Sequence, residues 1–286
     1  MKLGIAMFPA DFAIRPDALA RAVEDRGFES LFLAEHTHIP ATASTRAHME
    51  KVMGGAVGAY FSHTYDPFVA LAYAATATRD LRLGTGICLM AERDPITTAK
   101  AIASLDVLSG GRVLFGVAAG WIPEEAQDHG TDPAQRWAVM AERVKAMQRI
   151  WTDDIAEYHG NHVQFGPLWS WPKPHQRPHP PILVGGEGPG AERRVLDFGD
   201  EWMPHAGLPI STLSARITAL RQAARAAGRS GELPVSLYGA DPDPRALQAL
   251  RDIGVNRAIL YAPPADADAV LRFLDHAASL RSAVAE

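Results

Sequence analysis

The sequence predicts an α/β fold, a closed (β/α)8 TIM barrel of parallel strands with long loops after strand 2 and before strand 5. Three observations predict it. Eight short apolar runs of strand length recur along the 286 residues, a helical pattern follows each run, and the first run ends on Met7-Phe8-Pro9-Ala10 without the glycine fingerprint typical of an open doubly wound sheet. Residues 1–286 are therefore expected to form a single domain.

The elements are assigned in order from the spacing of apolar residues and from helix start and stop signals. Asp66-Pro67 and Asp94-Pro95 each mark the start of a helix. Gly27 marks the end of an earlier helix, the one predicted at 16–26. The predicted strands are 2–7, 30–34, 81–89, 112–117, 181–184, 201–203, 234–238 and 257–261, and the predicted helices are 16–26, 66–78, 94–108, 134–151, 191–198, 211–227, 244–253 and 265–281. Because parallel strands end on one face of a barrel, active-site residues are expected in the loops that follow them.

Two connections are longer than barrel loops usually are. Residues 37–65 leave the active face after the second strand, and we expect them to form a mobile cover that sets the substrate range. Residues 152–180 start on the opposite face, and their segment 157–165 is predicted to form a hairpin turned by Gly160-Asn161. Between the two, Glu124 and Glu125 are typical of the acidic first turn of a short helix.

Composition narrows the kinds of partner. Lys and Arg total 28 against 33 Asp and Glu, and the formal net charge of -5 provides no basic surface for nucleic acid or an acidic membrane. Cys88 is the only cysteine, which excludes an internal disulfide and a cluster of thiols for zinc. No apolar stretch is long enough to span a bilayer, and the N terminus reads as a strand rather than a signal peptide. We therefore expect a cytoplasmic protein with small-molecule partners.

The predicted strand ends are mostly apolar and carry few titratable groups, which favours a pocket for a large organic cofactor over a metal site. Small residues at 118–120 would let a flat ring approach the main chain, although helices that crowd a strand end select the same residues. At 185–188, glycines before a helix would leave backbone N–H groups facing a phosphate, or would only form a turn that needs a positive φ. Glu187 interrupts these glycines with a carboxylate that a phosphate would repel unless it points to solvent.

Four motifs follow one another along the chain: Leu81-Arg-Leu-Gly-Thr-Gly-Ile, the run from Asp94 through Leu108-Ser-Gly-Gly-Arg-Val, Gly116-Val-Ala-Ala-Gly-Trp and Pro180-Pro-Ile-Leu-Val-Gly-Gly. Together they resemble the luciferase-like monooxygenase family. The Glu35-His36 pair, Arg193 and Asp200-Glu201-Trp202 are most similar to the branch that uses the deazaflavin coenzyme F420. The resemblance implies a bacterial-luciferase-like barrel, often a homodimer, that binds F420 or, as the alternative, flavin mononucleotide (FMN) over its strand ends.

The resemblance also implies roles for individual residues. His36, with Glu35 beside it, would be the acid or base that accompanies hydride transfer between F420 and a small organic substrate. Ile87 would support one face of the ring from a peptide bond at Gly86-Ile87-Cys88 that is strained and sometimes cis in the family. The residues expected to contact the cofactor are Phe8, Gly86, Ile87, Cys88, Ala118, Ala119, Gly120, Trp121, Gly185, Gly186, Glu187 and Gly188. Some deazaflavin dehydrogenases carry a glutamate where this chain has Trp121, which suggests an aromatic wall here.

The chemistry of the residue types leaves alternatives open. A histidine exchanges protons near neutral pH, but adjacent strand residues point to opposite sides, so only one of Glu35 and His36 should face the site. His36 would otherwise cap a loop, residues 86–88 would fill the barrel core, and Cys88 is typical of a packed hydrophobe rather than a nucleophile.

Two other functions remain. His36-Thr37-His38 has the spacing of metal ligands in barrel hydrolases, but only His205 is placed to complete such a site, so no metal is expected. A non-enzymatic flavin-binding protein would keep the pocket and lose the chemistry. Cofactor binding, together with the effect of a His36 substitution on turnover, separates these readings.

Overall fold

A computed structural model describes residues 1–229 and 231–284, so Ser230 and the last two residues of the predicted domain lie outside the described residues. The strands are β1 (Lys2–Met7), β2 (Ser30–Leu33), β3 (Arg82–Thr85), β4 (Cys88–Leu89), β5 (Val113–Ala118), β6 (Ala156–His159), β7 (Gln164–Leu168), β8 (Ile182–Gly185), β9 (Glu201–Met203), β10 (Ser236–Ala240) and β11 (Arg257–Tyr261). The helices are α1 (Pro16–Asp25), α2 (Ala43–Met53), α3 (Pro67–Ala77), α4 (Pro95–Leu108), α5 (Pro123–Asp128), α6 (Arg136–Thr152), α7 (Ala191–Phe198), α8 (Ile210–Ala226), α9 (Pro244–Asp252), α10 (Ala267–Ser279) and α11 (Arg281–Val284), with a short 3-10 helix at Ala59–Ser62.

Eight strand positions form a nearly closed parallel barrel, which confirms the predicted fold class. The hydrogen-bonded order is β10-β11-β1-β2-β3-β5-β8-β9, with β4 also paired to β5. Between β9 and β10 the connection is made by isolated bridges that join Trp202 to Val235 and His205 to Tyr238. The carboxyl ends of all eight positions therefore surround one opening, as this type of barrel requires.

Alternation of side chains along the strands builds two layers of core. On β1 and β2, Ile5 and Leu31 belong to the large cluster between strands and helices, whereas Ala6 and Phe32 belong to a smaller cluster that also holds Leu114, Leu183, Met203, Tyr238 and Ile259. Successive strand residues point to opposite faces, so the smaller cluster fills the barrel interior. The barrel interior is therefore filled with side chains, and a ligand has to bind at the carboxyl ends of the strands.

The Asp-Pro pairs begin their helices as predicted. Asp66 Oδ1 accepts hydrogen bonds from Phe68 N and Val69 N at the start of α3, and Asp94 Oδ1 accepts one from Thr97 N at 2.7 Å at the start of α4. Each proline occupies the first helical position, where its missing N–H leaves no bond unmade.

Besides shifts of one or two residues at the ends of several elements, the structure differs from the prediction in three places. The strand predicted at 81–89 is divided into β3 and β4, and the pairing with β5 changes register between them, from Gly84 opposite Leu114 to Cys88 opposite Val117. The last predicted helix, 265–281, ends at Ser279 and is followed by the separate α11. Residues 37–65 contain α2 and the 3-10 helix, which the sequence pattern did not predict, while the predicted hairpin is confirmed as the antiparallel pair β6–β7.

Candidate functional site

The carboxyl ends of the barrel strands bring most of the predicted site residues together. Phe8 follows β1, His36 follows β2, and the rings of the two residues are nearly parallel with their centroids 6.2 Å apart. Trp121, which follows β5, lies edge-on to the imidazole at 6.0 Å, and Phe61 lies edge-on at 5.5 Å. The His36 ring is thus enclosed by aromatic side chains, and the residue is only 6% exposed.

His36 has a buried carboxylate partner that sequence reasoning missed. Glu125, on α5, is fully buried, and its Oε2 lies 2.7 Å from His36 Nδ1. The other oxygen, Oε1, accepts a hydrogen bond from Thr37 N at 3.2 Å. An ionised carboxylate only accepts, so with Glu125 ionised the proton of this contact lies on Nδ1, and Nε2 is then the nitrogen that exchanges protons with a substrate. The sequence predicted the helix of Glu125 but gave its carboxylate no role.

Glu35 points away from His36, as the alternation along a strand predicts. Its Oε2 accepts a hydrogen bond from Leu89 N at 2.7 Å, and its Oε1 binds the guanidinium of Arg93. Arg93 also binds Asp66 Oδ2 at 2.6 Å, and although burial opposes the charged form, Glu35 raises the pKa of Arg93. Glu35 therefore ties the end of β2 to the segment after β4. Glu35 is thus placed to position these two segments, and its side chain and the His36 imidazole lie on opposite sides of the chain.

The peptide bond between Gly86 and Ile87 is cis, as the resemblance implied for this position. Tyr238 Oη donates to Gly86 O at 2.6 Å, and the Ile87 side chain occupies the space that a Cβ on Gly185 would need. Ile87 therefore lies at the top of the interior core, between β3 and β8. Cys88 is fully buried, and burial followed by the charge of Glu35 raises the pKa of its thiol.

Among the small residues at the end of β5, Gly120 lies against a second carboxyl group that the sequence did not predict. Ala119 is fully buried, Ala118 is half-buried, and Gly120 has a φ of 80°. A Cβ on Gly120 would lie 2.8 Å from Oε1 of Glu92. Glu92 is 6% exposed, and neither of its oxygens has a hydrogen-bond partner among the described groups. Its position next to the site could not be read from the sequence, because only the fold brings the segment after β4 against Gly120.

The glycines at 185–188 lie between β8 and α7, as predicted. Gly186 has a φ of 100° and lies beside the ring of Trp137, while Gly188 and its neighbours are exposed. The Glu187 carboxylate accepts a hydrogen bond from His205 N at 3.3 Å, so it is held toward β9. The Glu187 carboxylate is therefore directed away from the start of α7, where it would otherwise repel a bound phosphate.

Two arginines add positive charge beside these glycines. The guanidinium of Arg194 lies 3.9 Å from the centroid of the Trp137 ring, and its buried Nε has no hydrogen-bond partner among the described groups. Burial, and then the charge of Arg193, lowers the pKa of Arg194. An anion at the start of α7 would relieve that repulsion and would also receive the backbone N–H groups of the helix.

Residues 37–65 cover the strand ends. Met49 of α2 is 1% exposed and Phe61 is 4% exposed, and both belong to a cluster with Phe8, Ala34 and Ile122. The segment is also tied to β5, since His48 Nε2 lies 2.9 Å from Trp121 O. A cover is present at the predicted place, and its mobility stays a prediction.

Two further searches concern the described residues only. No group of three or more His, Cys, Asp or Glu side chains in 1–229 and 231–284 is arranged to hold a metal ion. In the same part of the chain, every helix is too short or too polar to cross a bilayer.

Comparisons with known proteins agree with the barrel fold. The family model described as luciferase-like monooxygenase matches residues 16–251. A Mycobacterium tuberculosis relative, "Uncharacterized protein Rv0953c", is 36% identical over 281 residues and covers 98% of each chain. The FMNH(2)-dependent dimethylsulfone monooxygenase of Pseudomonas putida is 30% identical over 147 residues, which span 50% of this chain and 40% of that enzyme.

Among solved structures, an F420-dependent secondary alcohol dehydrogenase in complex with an F420-acetone adduct covers all of both chains with a TM-score of 0.78. The sequence identity is 20%, so this similarity concerns the fold.

Proposed function

The chain belongs to the luciferase-like monooxygenase family, and from that premise we propose that it is an oxidoreductase that transfers a hydride between coenzyme F420 and a small organic substrate. The observation that carries the proposal is the buried pair of His36 and Glu125 at the strand ends, with Nδ1 and Oε2 2.7 Å apart. Reduction of a carbonyl needs a proton at the oxygen as well as a hydride at the carbon. The protonated imidazole of His36, with Nδ1–H held by Glu125, can supply that proton from Nε2 and become neutral.

When bound, the deazaflavin would supply or accept the hydride at its ring carbon. His36 Nε2 would donate its proton to the substrate oxygen during reduction and take it back during oxidation of the alcohol. Glu125 would hold the imidazole by Nδ1 and stabilise it while it carries the positive charge, as the carboxylate of a catalytic triad does. Phe8, Phe61 and Trp121 would exclude water from the reacting atoms, because their rings surround the imidazole.

The residues present fit a large ring cofactor with a phosphate. Gly185 leaves room for the Ile87 side chain and Gly120 leaves room for the Glu92 carboxyl group, so these two side chains would lie at the strand ends beneath the ring. At the start of α7, the unpartnered Nε of Arg194 and the backbone N–H groups would meet the phosphate. The residues proposed to hold the cofactor are Phe8, Gly86, Ile87, Cys88, Ala118, Ala119, Gly120, Trp121, Gly185, Gly186, Glu187 and Gly188, with Cys88 and Glu187 acting through backbone atoms.

An FMN-dependent monooxygenase is the second candidate. It is favoured by the similarity to the dimethylsulfone monooxygenase, whose name states FMNH(2) dependence and whose matched region spans half of this chain. A reduced flavin reacts with oxygen, whereas a carbon at the reactive ring position restricts a deazaflavin mainly to hydride transfer. The two cofactors therefore predict different chemistry from the same set of side chains.

We further propose that the enzyme acts as a cytoplasmic homodimer. The single cysteine fits a reducing compartment. The neighbouring helices α3 and α4 expose apolar side chains on the outside of the barrel, among them Val69 at 70% and Leu108 at 83%. A second copy of the chain would cover these exposed apolar side chains.

Parallel binding titrations with F420 and FMN, followed by fluorescence, test the proposal. We expect tight and selective binding of F420, and we expect the His36→Asn variant to bind it equally well while turnover falls about 10²- to 10⁴-fold. Preference for FMN would support the monooxygenase. Binding of neither compound would overturn the cofactor assignment, and unchanged turnover in His36→Asn would overturn the role of His36.

A further inference from the structure

Glu92 is a buried carboxyl group with no donor to accept from. It follows β4, is 6% exposed, and both of its oxygens lack a hydrogen-bond partner among the described groups. Its Oε1 would lie 2.8 Å from a Cβ on Gly120, so the group is held against the end of β5, within the proposed site. An ionised carboxylate in this position would lose its hydration without gaining a hydrogen bond, so its desolvation free energy would not be compensated.

The charged groups that face Glu92 make an ionised form still less favourable. Glu125 from α5 and Glu35 from the end of β2 are its two acidic neighbours. The nearest cations are engaged elsewhere: Arg93 binds Glu35 and Asp66, and Arg143 of α6 donates to Met90 O at 3.1 Å. Burial, then the charges of Glu125 and Glu35, raises the pKa of Glu92 to about 9.

We propose that Glu92 is a neutral carboxylic acid that donates a hydrogen bond to Glu125, and that it is a positioning residue for the Glu125–His36 pair. Two carboxylates cannot bond to each other when both are ionised, because each can only accept. One proton on Glu92 turns the contact into a donor–acceptor pair and gives its buried carboxyl group the partner it otherwise lacks. Glu125 then stays ionised, with its other contacts to His36 Nδ1 and Thr37 N intact.

This arrangement has a consequence for the chemistry, and that consequence rests on the proposed function. With Glu92 neutral, the three groups carry one negative charge when the imidazole is neutral and none when it is protonated. His36 can therefore gain and lose its proton at Nε2 without leaving an uncompensated pair of buried carboxylates. Ionisation of Glu92 would add a second negative charge and remove the donor at the same time.

Infrared spectroscopy of the protein in D2O tests the protonation state without any cofactor or substrate. We expect a protonated-carboxyl C=O band at neutral pD that is lost through a titration centred near the pKa of Glu92. The band should be absent from the Glu92→Gln variant and retained in Glu50→Gln, a control at an exposed position of α2. A wild-type spectrum without the band, or a band that survives in Glu92→Gln, would overturn the proposal.

Nitrogen NMR of the histidine rings tests the positioning role, with the His36 signals assigned from the His36→Asn variant. The wild type and Glu92→Gln should both show the Nδ1–H tautomer, because an amide N–H can replace the carboxyl donor. Glu92→Met keeps a similar length but offers no donor to hold Glu125 in place, so the contact of Glu125 with Nδ1, and with it the tautomer preference, should be lost. Equal spectra for Glu92→Met and wild type, or loss of the preference in Glu92→Gln, would contradict the role. Failure of F420 and FMN to bind would count against the proposed function and would leave these two spectroscopic results standing.

Discussion

Nδ1 of His36 lies 2.7 Å from Oε2 of Glu125, although the two residues are 89 positions apart and belong to β2 and α5 regions of the barrel. Substitution of Glu125 by Gln keeps the shape of the side chain and removes its charge. We expect turnover in the substrate screen to fall about 10²-fold or more, because the protonated imidazole loses its counter-charge. The dissociation constant of the cofactor should stay unchanged. Steady-state kinetics and fluorescence titration measure the two quantities.

Glu124 supplies the matched control for this experiment. It lies on the same helix and is half-buried, whereas the carboxylate that bonds His36 Nδ1 is that of Glu125. The Glu124→Gln variant should retain turnover within about twofold. An equal loss in both variants would show that α5 as a whole was disturbed and that the His36 contact was not responsible.

The arginine beside the glycines at 185–188 provides a second prediction. Arg194→Ala should weaken binding of the phosphate-bearing cofactor about tenfold or more, because a hydrogen bond to a charged group contributes about 1.5–3 kcal/mol. Binding of the phosphate-free analogue, riboflavin or deazariboflavin, should be unaffected. Arg245→Ala, at an exposed position of α9, is the control. Equal weakening of both compounds would place the phosphate elsewhere.

Acid should weaken the fold through an ion pair at the opposite end of the barrel. Arg257 binds both oxygens of Glu29 at 2.8 and 2.9 Å. Burial opposes ionisation of Glu29, but the hydrogen bonds and charge of Arg257 outweigh it and lower the pKa from 4.5 to about 2. The stabilisation is therefore fully present above pH 4.5 and is lost as the pH falls toward 2. Its size is about 3 kcal/mol at most.

Urea unfolding at a series of pH values measures this loss. The Glu29→Gln variant should be less stable at pH 7, and its free energy of unfolding should depend less on pH between 4.5 and 2. Glu50→Gln should follow the wild type throughout. A variant at position 29 with the wild-type pH dependence would assign the acid sensitivity to other carboxylates.

Cys88 should be inert in the folded protein. Its side chain is fully buried, and its raised thiol pKa keeps the reactive thiolate scarce at neutral pH. A colorimetric thiol reagent should label less than a tenth of the protein within an hour under native conditions and about one thiol per chain in denaturant. Rapid labelling of the native protein would contradict the description of Cys88 as a packed hydrophobe.

The proposed homodimer is tested on the apolar surface of α3 and α4. Val69→Glu places a charge at a position that is 70% exposed in the single chain, so the fold should tolerate it. Light scattering should give about twice the mass of one chain for the wild type and about one chain for the variant. A monomeric wild type would refute the dimer, and a dimeric Val69→Glu would move the interface to another face.

The barrel could be predicted from local patterns, because each strand and helix carries its own apolar spacing. The Asp66-Pro67 and Asp94-Pro95 helix starts are confirmed for this reason. The site could be predicted only in part. The strand-end residues follow from topology, but the sequence pattern places Glu125 only in the acidic turn of a helix and indicates no role for Glu92. Their importance depends on contacts between elements distant in sequence, which local patterns do not record.

Glu35 and His36 are adjacent in the chain, yet their side chains serve opposite sides of the same strand end. Random mutagenesis would therefore sort the two positions differently. Changes at Glu35 should appear as loss of heat resistance and of folded yield, because Arg93 and Leu89 N lose their partner. Changes at His36 should appear as intact protein without turnover. A selection that measures only activity would not distinguish the Glu35 variants from the His36 variants. A selection that also measures the amount of folded protein would distinguish them, although the two residues are adjacent in sequence.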